Sequence, residues 1–459
     1  MKISIQNFKS IKRLLNFEIK PLTVISGINS SGKSSFIQLL LLFKQTIELD
    51  SSRFPLYLNG DYYKVSEYKD ILYNKSVENN LEVTFEFSKN EVTKIDDPVV
   101  KVLNSFDDYN VSLTLQFDLK NEKIIVSKFE NKIELPGENK NQIITFDLNK
   151  KDCYTISANT ELYGKGLMGN EALNNISSLS FLSFYPSHYE KKDNEKIIEG
   201  YLKLDWVKAL INSFFENISY IGPLREQPKD EYSISKNHLN VGIKGEFVAQ
   251  ILETHAQETI EYYKIIKPED GITYERVNGT LIEAVNYWMC EIFAVVEKIY
   301  AQKSDDTYKI VIEKKSELLL SIKHVGFGIS QLLPIVVEGL RLPSNGTLVL
   351  EQPEIHLHPK VQSSLYDFLY GLTKLGKSVI IETHSSHFIT RMRRRMAEDQ
   401  KNEMDDCVNL TFIENNNFRT LNLDDYGILD YYPEDFIEPP NSELRAIVKA
   451  QMSKRLKNE

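Results

Sequence analysis

The segment Gly27–Ser34 has the residue types and the spacing of a phosphate-binding loop, Gly-x-x-x-x-Gly-Lys-Ser. Gly27 and Gly32 permit backbone angles that let successive N–H groups point at phosphate oxygens. Lys33 adds a positive charge at the β and γ oxygens, and Ser34 offers a hydroxyl to Mg²⁺. The segment therefore predicts binding of ATP with Mg²⁺. The predicted nucleotide contacts here are Gly27, Asn29, Ser30, Ser31, Gly32, Lys33, Ser34 and Ser35.

A carboxylate suited to the same metal ion follows a second apolar strand. The run Thr347–Glu351 is apolar until its last residue, and Glu351 lies 318 residues after Lys33. In P-loop enzymes an acid at the end of a neighbouring strand holds Mg²⁺ directly or through water. The predicted metal ligands are therefore Ser34 and Glu351. Their wide separation in sequence indicates a nucleotide-binding head that is split by intervening regions.

Two further junctions between elements fit such a head. Small residues and a serine in Gly326–Gln331 open an apolar helix, whose N-terminal end could bind an anion. The predicted contacts there are Gly326, Gly328, Ser330 and Gln331. A strand over 378–382 is followed by His384, in a position to sense or stabilise a γ-phosphate. A lone histidine after a strand is usually structural, but the order of elements favours the functional interpretation.

The elements that must position these residues show in the hydrophobic pattern. The apolar run over 22–26 predicts a buried parallel strand before the loop, and helical spacing predicts a helix over 34–49. From about 50 to 150, strict alternation predicts an antiparallel sheet. From about 165 to 300 the pattern predicts mainly helices, over 201–215, 246–263 and 281–300. Strands are predicted over 308–312 and 318–322, and from 329 onward helices and strands alternate, which predicts parallel strands.

Composition narrows the functional classes. The chain has 459 residues and a net charge of −10. This acidic balance argues against a protein that binds nucleic acid over most of its surface, but it is compatible with binding in a local basic groove. No apolar stretch is long enough to span a membrane. Cys153, Cys290 and Cys407 lie far apart and form no metal-binding or disulfide pattern. We therefore expect a cytoplasmic protein without a membrane segment.

As a set, these motifs resemble the ABC-type ATPase heads of the SMC, RecF and OLD group within the AAA family. The likeness is greatest to the compact ATPases of bacterial anti-phage systems such as Septu and PARIS, and to those beside some retrons. It extends from Met1 to about Phe436. The stretches that carry it are ISIQNFKSIK at 3–12, YIGPLREQP at 220–228, VGFGISQLLPIV at 325–336, LEQPEIHLHPKVQ at 350–362 and IIETHSSHFITRMRRR at 380–395.

The resemblance implies an α/β fold, an ABC-type P-loop NTPase head in three parts. These are an N-terminal β-rich lobe over 1–160, a mainly helical insertion over 161–305, and a C-terminal RecA-like lobe over 306–459 that ends in a helix. It also implies a homodimer or higher homo-oligomer with composite sites, in which Gly326–Gln331 of one subunit contacts the γ-phosphate bound by another. Glu351 would be the Walker B acid, His384 the switch histidine, and Pro353–Pro359 a loop that faces the dimer.

The chain departs from that pattern after the Walker B acid. Many heads of this class carry a second acid there, which positions the attacking water, and this chain has Gln352. Glutamine can orient water but cannot act as a carboxylate base. Either Glu354 takes over the role of base, or hydrolysis is slow and the protein is a long-lived ATP-bound clamp. The predicted catalytic residues are Glu351, Gln352, Glu354 and His384.

The implied function is that of an ATPase, a nucleotide-dependent assembly or sensor subunit of an anti-phage complex. The resemblance also implies that it would control a separately encoded effector of nuclease type. No nuclease motif occurs in this sequence, so a partner protein would carry out any cutting of nucleic acid. Two alternatives remain: a RecF-like DNA-repair ATPase that clamps DNA directly, and an ATP-bound scaffold with little hydrolysis. The phage trigger and the oligomer size cannot be inferred from the sequence.

Three other features each have a structural interpretation and a functional alternative. His356, His358, His384 and His387 could form a zinc site, but switch-loop and dimer contacts are the simpler account. The arginines within 391–395 are by default a solvated helix face, with nucleic acid or an acidic partner as the alternative. Arg225 follows an extended turn that would expose its side chain. It could reach a phosphate across an interface, against a structural salt bridge.

Overall fold

The computed structural model describes residues 1–28, 31–50, 54–136, 142–148, 154–159, 176–193, 196–201, 204–234, 239–266, 273–314, 318–399, 403–424 and 426–433. Asn29, Ser30, Cys153 and the predicted C-terminal helix lie outside these residues. The chain divides into two compact units. Unit 1 comprises Met1–Lys20, Gly32–Ser219 and Asn345–Thr347, and unit 2 comprises Pro21–Ser31, Tyr220–Ser344 and Leu348–Glu459. This division differs from the three segments predicted from the sequence.

The strands, in chain order, are β1 (Lys2–Phe8), β2 (Ile11–Glu18), β3 (Leu22–Gly27), β4 (Leu81–Ser88), β5 (Asn110–Lys120), β6 (Lys123–Glu134), β7 (Gln142–Leu148), β8 (Tyr154–Asn159), β9 (Ile176–Leu182), β10 (Tyr185–Asp193), β11 (Lys196–Tyr201), β12 (Ile218–Ile221), β13 (Tyr232–Ser233), β14 (Thr259–Ile266), β15 (Thr273–Thr280), β16 (Lys298–Ser304), β17 (Thr307–Glu313), β18 (Leu319–Ser321), β19 (Thr347–Glu351), β20 (Ser378–Glu382), β21 (Val408–Glu414) and β22 (Asn417–Leu421). The helices are α1 (Lys33–Leu49), α2 (Lys89–Val92), α3 (Pro98–Leu103), α4 (Asp205–Phe215), α5 (Val248–Thr254), α6 (Leu281–Asn286), α7 (Phe327–Arg341), α8 (Pro359–Thr373), α9 (Ser386–Glu398) and α10 (Glu403–Cys407). A π-helical turn, Tyr287–Ile292, continues α6.

Unit 1 is built on a seven-stranded sheet in the order β2-β1-β4-β5-β6-β7-β8. Its neighbouring strands pair antiparallel, as the alternation predicts. In β4 every second residue is buried, because one face of the sheet covers a core while the other meets solvent. Helix α1 packs on the buried face, where the Phe43 ring meets Phe85 and Phe117 at centroid distances of 5.1 and 6.1 Å.

Unit 2 contains most of a six-stranded sheet in the order β12-β19-β20-β3-β21-β22. Strand β3 lies inside it and pairs in parallel with β20 and β21. All six residues of β3 are buried, as expected of a parallel strand covered on both faces. The predicted parallel strands and the α/β class are therefore confirmed.

The prediction of a mainly helical region between 161 and 305 is wrong for the residues that are described. Helix α5 ends at Thr254, and the predicted helix gives way to β14, which pairs with β15 over its whole length. The helix predicted over 281–300 stops at Ile292, and β16 follows. The segment Thr259–Ile266 combines helical spacing with β-branched and aromatic residues. When a segment fits both patterns, its pairing with another strand, here β15, determines its structure, and the local pattern does not.

The first helix of that region is shorter than predicted, since Tyr201 belongs to β11 and α4 begins at Asp205. No helix in the described part of the chain is long and apolar enough to cross a membrane.

Candidate functional site

The carboxyl ends of β19, β20 and β3 lie side by side in unit 2. The Gln352 N–H, just after β19, donates to the Glu382 carbonyl oxygen at 2.8 Å, and the Thr383 N–H donates to Ile25 O at 3.0 Å. One strand, β20, therefore separates the strand that enters the phosphate-binding loop from the strand that ends in Glu351. In open α/β sheets, ligands bind at this edge.

Gly27 ends β3 in a conformation that only glycine tolerates there. Its φ is +151°, and an added Cβ would lie 2.3 Å from Ile413 O on the paired strand β21. A backbone oxygen cannot move aside as a flexible side chain can. The glycine is therefore required by the close approach of β21, in addition to its predicted role beside phosphate.

The loop beyond Gly27 ends with a polar atom that the fold leaves without a partner. Ser31 Oγ is buried and has no hydrogen-bond partner among the described residues. A buried hydroxyl without a partner is unfavourable unless a ligand or water completes it. A bound phosphate would complete it, so the predicted contact at Ser31 fits the structure.

Helix α1 begins directly after the loop. Gly32 precedes it with φ +95°, and Lys33 is the first helical residue. The helix therefore presents its N-terminal N–H groups and the positive end of its dipole at the point where phosphate is expected. The Lys33 side chain is buried, and Ser34 is half-buried. The Ser35 hydroxyl shares a 2.7 Å hydrogen bond with the Ser10 hydroxyl inside unit 1, and its contact with nucleotide stays a prediction.

Glu351 ends β19 with its carboxylate held by a tyrosine. The Tyr220 hydroxyl donates to Glu351 Oε1 at 2.8 Å. Burial raises the pKa of Glu351, and the hydrogen bond from Tyr220 acts in the opposite direction. Burial also raises the pKa of Tyr220, with the nearby Glu351 charge as a second cause, so the phenol stays protonated and remains a donor. The sequence assigned Tyr220 no role, since only the fold brings it to Glu351.

The turn after Glu351 carries the residue that departs from the family pattern. Gln352 has φ +44°, a left-handed conformation that is uncommon outside glycine, asparagine and aspartate. Its N–H is bonded to Glu382 O, and its side chain is half-buried. Gln352 therefore belongs to a strained turn that is fixed by the adjacent strand.

Glu354, two residues on, lies with its carboxylate against the backbone of His384. Its Oε1 accepts the His384 N–H at 2.6 Å. Its Oε2 is buried and has no hydrogen-bond partner among the described residues. Burial raises the pKa of Glu354, while the hydrogen bonds from the His384 N–H and the Thr383 side chain and the Arg225 charge lower it. A carboxylate anchored through one oxygen and with a raised pKa has properties expected of a general base.

His384 contributes its backbone to this arrangement and turns its side chain outward. The side chain is exposed, while its N–H is the donor to Glu354. Ser385, the next residue, caps α9 by accepting the Phe388 N–H at 3.1 Å, and its hydroxyl donates to Gln362 at 2.6 Å. The histidine is therefore presented on a firmly anchored segment.

The predicted signature segment begins α7, with Gly326 at its N-cap. An added Cβ at Gly326 would meet nothing within 4 Å, whereas at Gly328 it would lie 2.9 Å from His356 O. Ser330 donates to Phe327 O at 2.7 Å, and Gln331 is 1% exposed. Of the four predicted contacts, Gly326 is therefore the open one, while the Ser330 and Gln331 side chains are engaged inside unit 2.

Arg225 differs from its prediction. The side chain is only 6% exposed, and its Nη2 donates to Glu351 O at 3.3 Å and to Gln352 O at 3.4 Å. Among the described salt bridges none involves it, so it forms neither an exposed phosphate contact nor the structural salt bridge considered from the sequence. The Arg225 side chain instead contacts the backbone of the turn at 351–354.

The predicted basic face of α9 is partly internal: Arg395 is buried, Arg391 and Arg393 are half-buried, and Arg394 is exposed. Arg395 is 3% exposed and binds both oxygens of the buried Asp367, and Arg391 binds Asp367 as well. Arg393 donates to Gly427 O and Arg394 to Glu398. The expectation of a solvated face is wrong for Arg395, because Asp367 on α8 neutralises it. In the described part of the chain, no three His, Cys, Asp or Glu side chains are grouped so that they could hold a metal ion.

A parallel strand that ends in glycine, a helix that starts at the lysine of Gly-Lys-Ser and a strand-end glutamate with one strand between have the arrangement of a P-loop ATPase. The chain belongs to the AAA ATPase domain family, whose model matches residues 1–389. No curated protein sequence matches the chain.

Three solved SMC heads are similar to the chain at 12% identity. The SMC head domain from Thermotoga maritima covers 92% of this chain and 98% of its own, with a TM-score of 0.35. An SMC head bound to the C-terminal winged-helix domain of ScpA covers 91% and 95%, with a TM-score of 0.39. An SMC head with an extended coiled coil, bound to the C-terminal domain of ScpA derived from Pyrococcus furiosus, covers 91% and 94%, with a TM-score of 0.40. TM-scores this low do not by themselves establish a common fold.

Proposed function

We propose that this chain binds ATP with Mg²⁺ on Gly27–Ser34 and hydrolyses it with the help of the 351–354 turn. The observation that carries the proposal is the order of strands at the carboxyl edge of the sheet. The strand that enters the phosphate-binding loop and the strand that ends in Glu351 are separated by β20 alone. The unpartnered Ser31 hydroxyl adds support, since a phosphate would complete it.

The donor set fits Mg²⁺. The predicted ligands, the Ser34 hydroxyl and the Glu351 carboxylate, are oxygens, and Mg²⁺ prefers few protein oxygens together with water and phosphate oxygens. The bound ion would neutralise charge on the phosphates. Tyr220 orients the carboxylate by its hydrogen bond to Oε1, which leaves the other lone pairs of Glu351 available.

For hydrolysis we assign Glu354 as the base in place of the missing second acid. One oxygen is anchored on the His384 N–H, and the other is buried with no hydrogen-bond partner among the described residues. Burial raises the pKa of Glu354, which makes its carboxylate a better proton acceptor. The competing candidate is an ATP-bound scaffold with little hydrolysis, favoured by Gln352 at the position where many related heads carry an acid.

Binding is tested with Lys33→Ala, beside Lys12→Ala, an exposed lysine of β2. Affinity for a fluorescent ATP analogue with Mg²⁺ should fall about 10²-fold in Lys33→Ala, because charge-assisted contacts worth roughly 3 kcal/mol are lost. Lys12→Ala should match wild type. Equal affinity of wild type and Lys33→Ala would remove the phosphate-binding role of the loop.

Turnover separates the two candidates. Glu354→Gln should lower kcat by about 10²-fold or more, while Glu351→Gln should lose Mg²⁺-dependent turnover. The matched control is Glu338→Gln, another buried glutamate that accepts a backbone N–H, that of Val241. If wild type hydrolyses briskly and Glu354→Gln does not slow it, Glu354 is not the base. If purified wild type binds ATP without turnover, the scaffold is the correct assignment.

We further propose that ATP assembles a homodimer or higher homo-oligomer with composite sites, one face of which includes Gly326. The open space beside Gly326 supports this, as does the 37% exposure of the adjacent Phe327. Light scattering of Glu354→Gln, which should retain ATP, should give a dimer mass with ATP and a monomer mass with ADP. Adding Gly326→Arg should prevent the ATP-dependent dimer. A monomer mass for Glu354→Gln with saturating ATP would contradict the composite site.

The biological proposal is a cytoplasmic anti-phage complex in which ATP-dependent assembly controls a separate effector of nuclease type. Its support is the resemblance of the motifs, together with membership of an ATPase family. Cells that carry this chain and its gene neighbour should resist at least one phage, and Lys33→Ala should abolish that resistance. Absence of protection across a broad phage panel would leave the ATPase without this role.

Direct clamping of DNA receives less support. The four arginines of α9 that could have formed a basic surface donate to acceptors within the chain. Salt-sensitive, ATP-dependent binding of duplex DNA by the isolated protein would restore that alternative.

A further inference from the structure

The segment Tyr220–Arg225 reaches the 351–354 turn at two places. Tyr220, in β12, donates to the Glu351 carboxylate at one end of the turn. Arg225, five residues later, lies behind the backbone of the same turn. The two contacts come from one short stretch of chain, so the position of the turn depends on the position of this stretch.

The Arg225 guanidinium faces three consecutive carbonyl oxygens. Nη2 donates to Glu351 O and Gln352 O at 3.3 and 3.4 Å, and Nη1 donates to Pro353 O at 3.5 Å. Each bond is long and individually weak. Together they place one planar cation against the carbonyl oxygens of three successive residues. A lysine ammonium cannot reproduce this contact through two separate nitrogens.

Burial makes these contacts matter. The side chain is almost fully removed from water, and Nε has no hydrogen-bond partner among the described residues. Burial lowers the pKa of Arg225 to about 10, and the Glu354 charge acts in the opposite direction. The guanidinium is therefore still charged at neutral pH. A buried charge must be offset by dipoles or counter-charges, and here the turn and Glu354 supply them.

The turn itself needs such a support. Gln352 is not a glycine, yet its φ is +44°, a left-handed conformation that is strained for an ordinary side chain. Such strain persists only where surrounding contacts over-determine it. The Glu382 carbonyl holds the Gln352 N–H from one side, and Arg225 holds the Gln352 carbonyl from the other.

The arginine segment is in turn tied down at both ends. The Gly222 N–H donates to Ile243 O at 2.9 Å, and the Glu226 N–H donates to Lys244 O at 2.8 Å. These two bonds bracket Arg225 and fix the backbone from which its side chain extends. The cation therefore has a defined place before any nucleotide binds.

We propose that Arg225 is a positioning residue for ATP hydrolysis, which holds the backbone between Glu351 and Glu354 so that both carboxylates face the nucleotide correctly. This rests on the proposed function, because it needs both acids to act on ATP. Arg225 touches neither ATP nor Mg²⁺ in this role. Its removal should therefore affect the chemical step and leave nucleotide binding on Gly27–Ser34 nearly intact.

The test compares wild type, Arg225→Ala, Arg225→Lys and a matched control, Arg341→Ala. Arg341 also donates to a backbone carbonyl, that of Leu239, and its Nε is also without a partner among the described residues. In Arg225→Ala, kcat should fall about 10²-fold, as a misplacement near 1 Å produces, while KM and the Kd for the ATP analogue change by less than about threefold. Arg225→Lys should be intermediate, and Arg341→Ala should match wild type.

Chemical rescue distinguishes positioning from loss of stability. Guanidinium chloride at tens of millimolar should restore kcat of Arg225→Ala at least about tenfold, because the small cation can enter the space left by the side chain. Sodium chloride at the same ionic strength should not. A merely destabilised variant would lose activity in a denaturant, since guanidinium lowers stability.

Two results would overturn the proposal. One is an Arg225→Ala protein with wild-type kcat, which would leave the proposed ATPase function standing. The other is a loss of kcat accompanied by an equal loss of ATP affinity and no rescue. If Arg225→Ala does not fold, the same comparison is made with Arg225→Lys, in which kcat should fall while KM stays nearly unchanged. A wild type without any turnover would end both this proposal and the proposed hydrolysis.

Discussion

Two turns at the carboxyl edge of one sheet adopt unusual backbone conformations by opposite means. After β3, the phosphate-binding loop uses glycine at the positions of positive φ, Gly27 at +151° and Gly32 at +95°. After β19, the turn uses Gln352 at +44° and His356 at +62°. Glycine adopts such angles without strain, whereas Gln352 and His356 must be held there.

The two turns differ in which residues determine their backbone conformation. The glycine loop carries its conformation in its own residues, so a motif is enough to recognise it. The 351–354 turn takes its conformation from contacts far away in sequence, chiefly Arg225 and the carbonyl oxygen of Glu382. We therefore expect substitutions within the glycine loop to disrupt that loop, and substitutions outside the 351–354 turn to disrupt that turn.

The largest effect is expected for Gly27→Ala. An added Cβ would lie 2.3 Å from Ile413 O at a φ of +151°, so β3 and β21 would have to separate. We expect nucleotide binding to be lost and stability to fall by several kcal/mol, about what core overpacking causes. Binding of the ATP analogue and urea unfolding measure the two effects.

Gly371→Ala is the control for that change. Gly371 lies in α8, where an added Cβ would meet its nearest side-chain atom at an ordinary 3.8 Å. Its stability should be unchanged or raised by up to about 1 kcal/mol. A Gly27→Ala protein that binds ATP normally would mean that the strand pairing yields easily, and the contrast between the two turns would weaken.

A smaller effect, about tenfold in kcat, is expected for Tyr220→Phe. The variant removes one hydrogen bond to the Glu351 carboxylate, worth roughly 1.5–3 kcal/mol, and leaves the ring in place. ATP affinity should change little. Tyr232→Phe, a buried tyrosine of the same unit, should retain wild-type kcat. If Tyr220→Phe is fully active, the 351–354 turn depends on external contacts less than we infer.

The pH dependence of turnover offers a subtler test. Burial raises the pKa of Glu354 above its ordinary value of 4.5, and the base must be ionised to act. Activity should therefore fall on acidification at a higher pH than a free glutamate would give. Because the Arg225 charge lowers the pKa of Glu354, Arg225→Ala should move the acid limb of kcat further upward. An unshifted limb in that variant would argue against coupling between the two groups.

The smallest effect is expected for Gln352→Gly. Glycine removes the left-handed strain, which favours the folded state, but increases the freedom of the unfolded chain. The free energy of unfolding should change by no more than about 1 kcal/mol. A loss above about 2 kcal/mol would show that the glutamine side chain, and not the surrounding contacts, holds the turn.

Local pattern was a good guide to part of this fold. The run that became β3, the alternation in β4 and β5, and the alternating elements from α7 to β21 were all expected close to their observed bounds. In each case one periodicity dominates, because the element buries a single face or is buried on both. Where helical and strand spacings coincide, as in Thr259–Ile266, pattern failed and pairing with β15 decided.

The sequence by itself determined the phosphate-binding loop and named the acid that follows the second strand, because glycine spacing and an apolar strand are local properties. Only the tertiary structure decided what surrounds that acid. It brought Tyr220 to Glu351, placed Glu354 on the His384 N–H, and buried Arg225 behind the turn. It also paired Arg391 and Arg395 of α9 with Asp367. Hydrogen bonds and charge pairs between residues far apart in sequence form only when the chain has folded, so the spacing of residues in the sequence does not predict them.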